Sequence, residues 1–137
     1  MNIFEEYIKK ISTLISKNQK LINLENLNGF KGIVVESPPA EFNYDLSCNA
    51  GLVLGKINGT DPKKLALRIK DLILDNLKDF EKIEIAGPGF LNLKLTNEAL
   101  ISNINLILEN RKTYGKKSSN KSYNIEFVSA NPTGPMH

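Results

Sequence analysis

The sequence predicts an α+β domain, in which a small, mostly antiparallel sheet carries helices packed on one face. Three observations lead to this fold class. Helix and strand patterns follow each other in the order helix, strand, helix, helix, hairpin, helix. The first of them is a strongly amphipathic helix, and a Gly-Pro-Gly turn joins the two strands of the hairpin. The chain of 137 residues is long enough for one such domain, or for one domain and the start of another.

The first predicted element is a helix that ends near Asn18. Residues 21–27 continue it as a turn or a short second helix, and Asn28 and Gly29 form a stop signal. Residues 33–36 then form a short strand before two prolines. The buried stripe of the first helix is formed by apolar residues three and four positions apart: Ile3, Phe4, Tyr7, Ile8, Ile11, Leu14 and Ile15.

Two helices are predicted in the middle of the chain. The first is short and runs from about Ser47 to Lys56. The second begins cleanly, because Asp61 can act as its N-cap and Pro62 occupies the first helical position, where a missing N–H costs nothing. Its buried stripe is formed by Leu65, Ile69, Leu72, Ile73 and Leu77.

A hairpin and a last helix complete the predicted domain. Residues 83–86 and 90–95 form the two strands, and Pro88 and Gly89 suit the second and third positions of a type II turn, where Gly89 takes a positive φ. Thr96 or Asn97 then caps a helix with the apolar residues Leu100, Ile101, Ile104, Ile107 and Leu108.

The end of the chain differs in composition from the rest. Residues 111–137 hold five Lys and Arg against Glu126 alone, and these cations lie among Gly, Ser and Asn. That composition is typical of a solvated linker, although its cations could also meet phosphates. Residues 123–128 follow as another strand. We therefore divide the chain into a domain at 1–110, a basic linker at 111–122 and the start of a second domain at 123–137.

Composition excludes several classes of protein. The apolar fraction of 41% contains no run of about 18–20 residues that could span a membrane, so we expect no membrane contact. The acidic N-terminus does not resemble a signal peptide, and we expect a cytoplasmic protein. Cys48 and His137 are the only cysteine and histidine, which leaves no intrachain disulfide and no ordinary structural zinc site.

The second hairpin strand provides the first candidate site. Period-two geometry directs Leu91, Leu93 and Leu95 to the core and Phe90, Asn92 and Lys94 to the opposite face. A ring, an amide and an ammonium in one row can stack on a base, read a base edge and meet a phosphate, which are the contacts that single-stranded RNA needs. The alternative is that Phe90 packs under a neighbouring loop or helix.

Residues 126–137 provide the second candidate site. A strand that ends in small and polar residues can place hydroxyl groups, backbone N–H groups and a histidine in the crevice of an α/β enzyme. The same residues could equally form a disordered tail.

Both candidate sites resemble one family. Residues 129–137, Ser-Ala-Asn-Pro-Thr-Gly-Pro-Met-His, are similar to the first part of the S-A-N-P-T-G-P-x-H-x-G-H signature of bacterial arginyl-tRNA synthetases. Residues 86–92, Ala-Gly-Pro-Gly-Phe-Leu-Asn, resemble the A-G-P-G-(F or Y)-x-N segment of the N-terminal additional domain in these enzymes. A third family segment begins His-Gly-Asp; here Asp45, Ser47 and Asn49 match it, whereas Asn43 and Tyr44 stand at the positions of its His and Gly.

The resemblance implies a role for each matching residue. Glu126 would pair with the guanidinium group of arginine, and Ser129 and Asn131 would hold its α-amino end. His137 would be catalytic, because it matches the first His of the H-x-G-H motif, which stabilises charge as the adenylate forms. Phe90 and Asn92 would contact an exposed base in the tRNA D-loop. Lys94 is added to them from the strand geometry alone.

The resemblance also implies what surrounds this chain. Residues 123–137 would be the first strand and signature loop of a Rossmann-like class I catalytic domain, whose enzyme joins arginine to its tRNA with ATP and Mg. We expect this part of the enzyme to be a monomer, to bind no cofactor and to be inactive alone, because most of the active site would lie further along the chain. A free-standing RNA-binding module and a generic α+β interaction domain are the alternatives.

Overall fold

The computed structural model describes residues 2–109, which form four helices, four strands and one 3-10 turn. The 3-10 turn at Asn28–Phe30 lies between the first helix and the first strand. In chain order the helices and strands are α1 (Ile3–Lys17), β1 (Val35–Glu36), β2 (Leu46–Cys48), α2 (Ala50–Asn58), α3 (Pro62–Asn76), β3 (Phe80–Ala86), β4 (Phe90–Leu95) and α4 (Asn97–Glu109).

The strands form one antiparallel sheet in the order β1-β2-β4-β3, and the α+β fold class is confirmed. The short helix predicted from about Ser47 to Lys56 is present as α2, but it begins at Ala50, because residues 46–48 form a strand that was not predicted. A strand of three residues is too short to show alternation in the sequence. It forms because β1 and β4 pair with it on either side.

The ends of α1 and α3 follow from local capping. The Asn2 side chain accepts a hydrogen bond from the Glu5 N–H at 2.9 Å, and α1 ends at Lys17 with Asn18 as its C-cap, close to the predicted end. At α3, the Asp61 carboxylate accepts from the Lys63 N–H at 3.0 Å, with Pro62 at the first helical position. Residues 21–23 form a turn, one of the two predicted alternatives, and residues 24–27 have no regular structure.

The core lies between one face of the sheet and the helices α1, α2 and α3. On β4 its leucines are at most 2% exposed, which confirms the predicted orientation of that strand. The predicted stripes of α1 and α3 supply the opposite side of the core. Its largest fully buried side chains include Tyr7, Ile11, Ile15, Leu65, Ile69, Ile73, Leu91 and Leu93.

Helix α2 lies so close to α3 that two of its positions, Gly51 and Gly55, have no room for a side chain. A Cβ atom at Gly51 would lie 2.7 Å from the Ala66 Cβ, and one at Gly55 would lie 2.8 Å from the Pro62 Cα. Glycine at both positions therefore lets the two helices and the β3–β4 turn pack as one unit.

Helix α4 is capped as predicted, because the Thr96 hydroxyl accepts a hydrogen bond from the Ala99 N–H at 3.1 Å. Much of its apolar side is exposed; Ile101, Ile104 and Leu108 are each more than half exposed. The basic linker at 111–122 and the Rossmann-like strand at 123–128 lie outside the described residues.

Candidate nucleic-acid interface

The β3–β4 turn fixes the start of β4 against the helices. The Gly89 N–H donates to the Ala86 carbonyl at 3.4 Å, so Gly87 and Pro88 are the central residues of the turn, not Pro88 and Gly89 as predicted. Gly87 and Gly89 both have positive φ, 54° and 142°, of which the sequence predicted the second. A Cβ atom at Gly89 would lie 3.0 Å from the Pro62 Cβ and 3.1 Å from the Leu52 N. The turn is therefore seated on the α2–α3 junction, and this contact sets the position of Phe90.

Phe90, Asn92 and Lys94 lie on the face of β4 opposite the core, which we call the open face of the sheet. Phe90 and Lys94 are half-buried, while Asn92 is only 5% exposed, more covered than the sequence pattern predicted. The ring of Phe90 does not belong to the apolar side chains packed against the core, whereas Phe4 and Phe30 do. The half-burial of Phe90 is therefore not core packing.

Cross-strand pairing arranges the open face in rows. Asn92 lies between Ser47 on β2 and Glu84 on β3, and Ser47 in turn pairs with Glu36 on β1. The four polar residues thus form one row across the whole sheet. The neighbouring row on β3 and β4 pairs Lys82 directly with Lys94, and the row on the other side pairs Ala86 with Phe90.

The Asn92 amide is unpaired in the described part of the chain. No described residue forms a hydrogen bond with its side chain. An amide in this position has up to four hydrogen bonds to offer, and a polar group so little exposed usually has a partner. Asn92 lies in the middle of the open face and is 5% exposed, so a ligand that brings both donors and acceptors would reach it once the side chains over it move aside.

Tyr44 crosses the open face, a feature that sequence reasoning missed. Its hydroxyl donates a hydrogen bond to Oε2 of Glu84, and the Lys82 Nζ lies 5.9 Å from the centre of its ring. Because β4 lies between β2 and β3, a side chain that reaches from residue 44 to Glu84 must pass over β4. The hydrogen bond to the Glu84 carboxylate raises the pKa of Tyr44, which keeps the hydroxyl protonated.

Two of the three residues that match the family's third segment, Asp45 and Asn49, bind backbone groups. The Asp45 carboxylate accepts a hydrogen bond from the Leu95 N–H at 2.8 Å. The Asn49 side chain accepts from the Val34 N–H at 2.8 Å and donates to the Gly32 carbonyl at 3.0 Å. Asp45 thus connects β2 to the end of β4, and Asn49 ties β2 to the segment before β1.

A separate cavity of about 820 Å³ lies between α1 and α4. Three charged or polar side chains on its α1 side are paired: Asp79 accepts hydrogen bonds from the Tyr7 hydroxyl at 2.8 Å and from the Lys10 Nζ at 3.0 Å, and Lys10 also pairs with Glu6 at 3.4 Å. Burial is the main cause that raises the pKa of Tyr7. The arrangement joins α1 to the start of β3.

The predicted arginine-site residues Glu126, Ser129 and Asn131 and the predicted catalytic residue His137 lie outside the described residues. Within residues 2–109, no group of His, Cys, Asp and Glu side chains is placed to hold a metal ion. No helix in that part of the chain is long and apolar enough to cross a membrane.

Comparison with known proteins identifies the family. Residues 3–95 match the family model described as the arginyl tRNA synthetase N terminal domain. Proteins named arginine–tRNA ligase are similar over the entire chain: one from Pelagibacter ubique is 41% identical and one from Bartonella henselae is 43% identical. The chain spans 24% of the length of each, about a quarter of these relatives.

A solved structure supports the fold. The crystal structure of the arginyl-tRNA synthetase from Plasmodium falciparum matches 70% of this chain and 17% of that protein, with a TM-score of 0.53 and 21% identity. At that identity the match concerns the fold alone. The family model and the curated relatives together show that this chain belongs to the arginyl-tRNA synthetase family and contains its N-terminal domain.

Proposed function

We propose that the open face of the sheet binds tRNA at its D-loop, as part of an enzyme that joins arginine to tRNA. The observation that carries this proposal is the unpaired amide of Asn92, which lies on one strand face between Phe90 and Lys94. A ring outside the core supplies a stacking surface, and the amide supplies donors and acceptors for a base edge.

The lysines of the open face support an anionic partner. Lys82 and Lys94 are directly opposite each other on neighbouring strands, where like charges destabilise a sheet. Among the described residues neither forms an ion pair with a carboxylate; Lys94 has only a 3.4 Å hydrogen bond to the Asn43 Oδ1. A phosphate bound between the two ammonium groups would relieve their repulsion.

We further propose that the complete enzyme uses ATP with Mg²⁺ to form arginyl-adenylate. Glu126, Ser129 and Asn131 would bind arginine, and His137 would stabilise the charge that develops as the adenylate forms. This assignment rests on the match of residues 129–137 to the family signature and on the names of the relatives. The same reasoning proposes a cytoplasmic enzyme that works as a monomer.

The test is a titration of wild type and of Phe90→Ala with arginine tRNA, in which fluorescence anisotropy reports binding. Loss of one stacked base costs about 1–3 kcal/mol, so we expect Kd to rise about 5- to 150-fold. Deletion of the D-loop bases from the tRNA should weaken the wild type by a similar factor and should have little further effect on Phe90→Ala.

The matched control is Phe30→Ala, which removes a ring that packs against the core. It should lower the free energy of unfolding, measured in urea, and leave the Kd of the folded protein unchanged. If Phe90→Ala destabilises the fold and binds tRNA like the wild type, Phe90 serves the structure and the proposal is wrong.

A further inference from the structure

We infer that Tyr44 is a second aromatic RNA-binding residue, which holds its ring over the open face beside Asn92. This inference rests on the proposed function of that face. The family pattern has glycine at this position, so the residues that match the family do not predict a ring there. The contact with Glu84 is also formed between residues 40 positions apart in the chain, which no local pattern reveals.

The cross-strand pairing places the ring of Tyr44 close to Asn92. Glu84, which binds the Tyr44 hydroxyl, is the direct partner of Asn92, and Lys82, which lies near the ring, is the direct partner of Lys94. The ring therefore crosses β4 at the rows of Asn92 and Lys94. Phe90 lies in the row on the other side of Asn92, so the two rings flank the unpaired amide.

The spacing of these rows suits a nucleobase. Alternate residues of a strand on one face are roughly 7 Å apart, because each residue advances the strand by about 3.3 Å. A planar base needs about 3.5 Å of van der Waals distance on each side. The row of Phe90 is thus one base-sized step along β4 from the row of Asn92, so a base stacked on the Phe90 ring would lie beside that amide.

Glu84 holds the Tyr44 ring in place, and the Tyr44 side chain in turn covers part of the Glu84 carboxylate. An exposed carboxylate on the open face would repel phosphates, and the hydrogen bond from the Tyr44 hydroxyl occupies one of its oxygens. The Lys82 ammonium near the same ring also lies on this side of the sheet. Tyr44 thus offers RNA a stacking surface and covers part of the negative charge next to Asn92.

The test compares Tyr44→Ala, which removes the ring, with Tyr44→Phe, which keeps it. In tRNA titrations of the 137-residue chain we expect Kd to rise about tenfold or more for Tyr44→Ala, the loss of one stacking contact. Tyr44→Phe should remain within about threefold of wild type, because the stacking surface is retained. Urea unfolding of both variants checks that the fold is intact.

Phe42→Ala is the matched control in the same loop. Phe42 is 45% exposed and forms none of the contacts that hold Tyr44 to β3. We expect its tRNA affinity to equal that of wild type. An equal loss of affinity in Phe42→Ala and Tyr44→Ala would overturn the assignment to the ring anchored over β4.

A direct readout of stacking is the NMR spectrum of the chain with labelled tyrosine rings. The Tyr44 ring signals, assigned by their absence in Tyr44→Phe, should move upfield when tRNA is added, because a stacked base shields the ring. If Tyr44 merely blocks Asn92, Tyr44→Ala will bind tRNA more tightly than wild type, and the inference is wrong.

The Phe90→Ala variant separates this inference from the proposed function. If Phe90→Ala weakens tRNA binding and Tyr44→Ala does not, Tyr44 has no RNA contact and only the inference fails. If neither variant weakens binding, the open face does not bind tRNA and the proposed function fails with it.

Discussion

Two neighbouring segments of the sheet resemble the same family, but their polar side chains behave in opposite ways. In the β2 segment, the side chains of Asp45 and Asn49 form hydrogen bonds with backbone groups of the domain itself. In the β4 segment, Asn92 forms no side-chain hydrogen bond with any described residue. A polar residue typical of the family therefore has a structural role when its side chain is hydrogen-bonded to backbone. It is a candidate for binding when its side chain lies on the open face without a hydrogen-bond partner.

The largest effect expected in the β2 segment concerns pH and Cys48. Burial raises the pKa of the Cys48 thiol from 9.0 to about 11. The folded state thus favours the neutral thiol, and the stability this gives is complete below the pKa of the unfolded state. This stability, about 2 to 3 kcal/mol, is lost as the pH rises through about 11.

Urea unfolding of wild type and Cys48→Ala between pH 8 and pH 11 measures this effect, at roughly 1.4 kcal/mol per pKa unit. The lysines and tyrosines are common to both proteins, so the difference in the free energy of unfolding between wild type and Cys48→Ala isolates the thiol. The stability of wild type should fall more steeply than that of Cys48→Ala. Parallel curves would show that Cys48 is not enclosed in the core.

The next effect concerns Asp45, whose carboxylate accepts from the Leu95 N–H. Asp45→Ala leaves the N–H of the buried Leu95 unpaired and should lower the free energy of unfolding by about 2 kcal/mol. Asp45→Asn keeps an acceptor oxygen and should lose less than about half of that amount. If both variants are as stable as wild type, the hydrogen bond does not hold β2 to β4.

A smaller effect is expected at Lys94, on the binding side of the comparison. Lys94→Ala should raise the Kd for tRNA only a few-fold and should reduce the slope of log Kd against log salt by about 1, as loss of one phosphate contact does. Lys17→Ala, which removes an exposed lysine at the end of α1, is the control and should leave the slope unchanged. Equal slopes in wild type and Lys94→Ala would remove Lys94 from the interface.

Local signals predicted much of the fold. The apolar stripe of α1, the N-cap of α3 and the leucine face of β4 depend on residues a few positions apart, so the sequence shows them directly. Strand β2 depends instead on pairing with β4, more than 40 residues away, and three residues are too few for alternation to appear. For this reason β2 was missed and the start of the short helix was predicted three residues too early, whereas the helix itself is present as α2.

The candidate site was predicted less completely than the fold. Alternation placed Phe90, Asn92 and Lys94 on one face, and the structure confirms that placement, while their contact with tRNA stays a prediction. Tyr44 could not be found this way, because its side chain reaches Glu84 only after β2, β4 and β3 have paired. The roles of Glu126, Ser129, Asn131 and His137 also remain predictions.

The most direct measurement is a matched pair of asparagine substitutions, with stability and tRNA affinity measured for both. Asn49→Ala should lower the free energy of unfolding by about 1 to 2 kcal/mol, because it removes two hydrogen bonds to backbone, and should leave the Kd of the folded protein unchanged. Asn92→Ala should keep the stability within about 0.5 kcal/mol of wild type and raise the Kd about 5- to 20-fold. The reverse pattern, a destabilised Asn92→Ala that binds tRNA normally, would contradict the assignment of the open face as the RNA-binding surface.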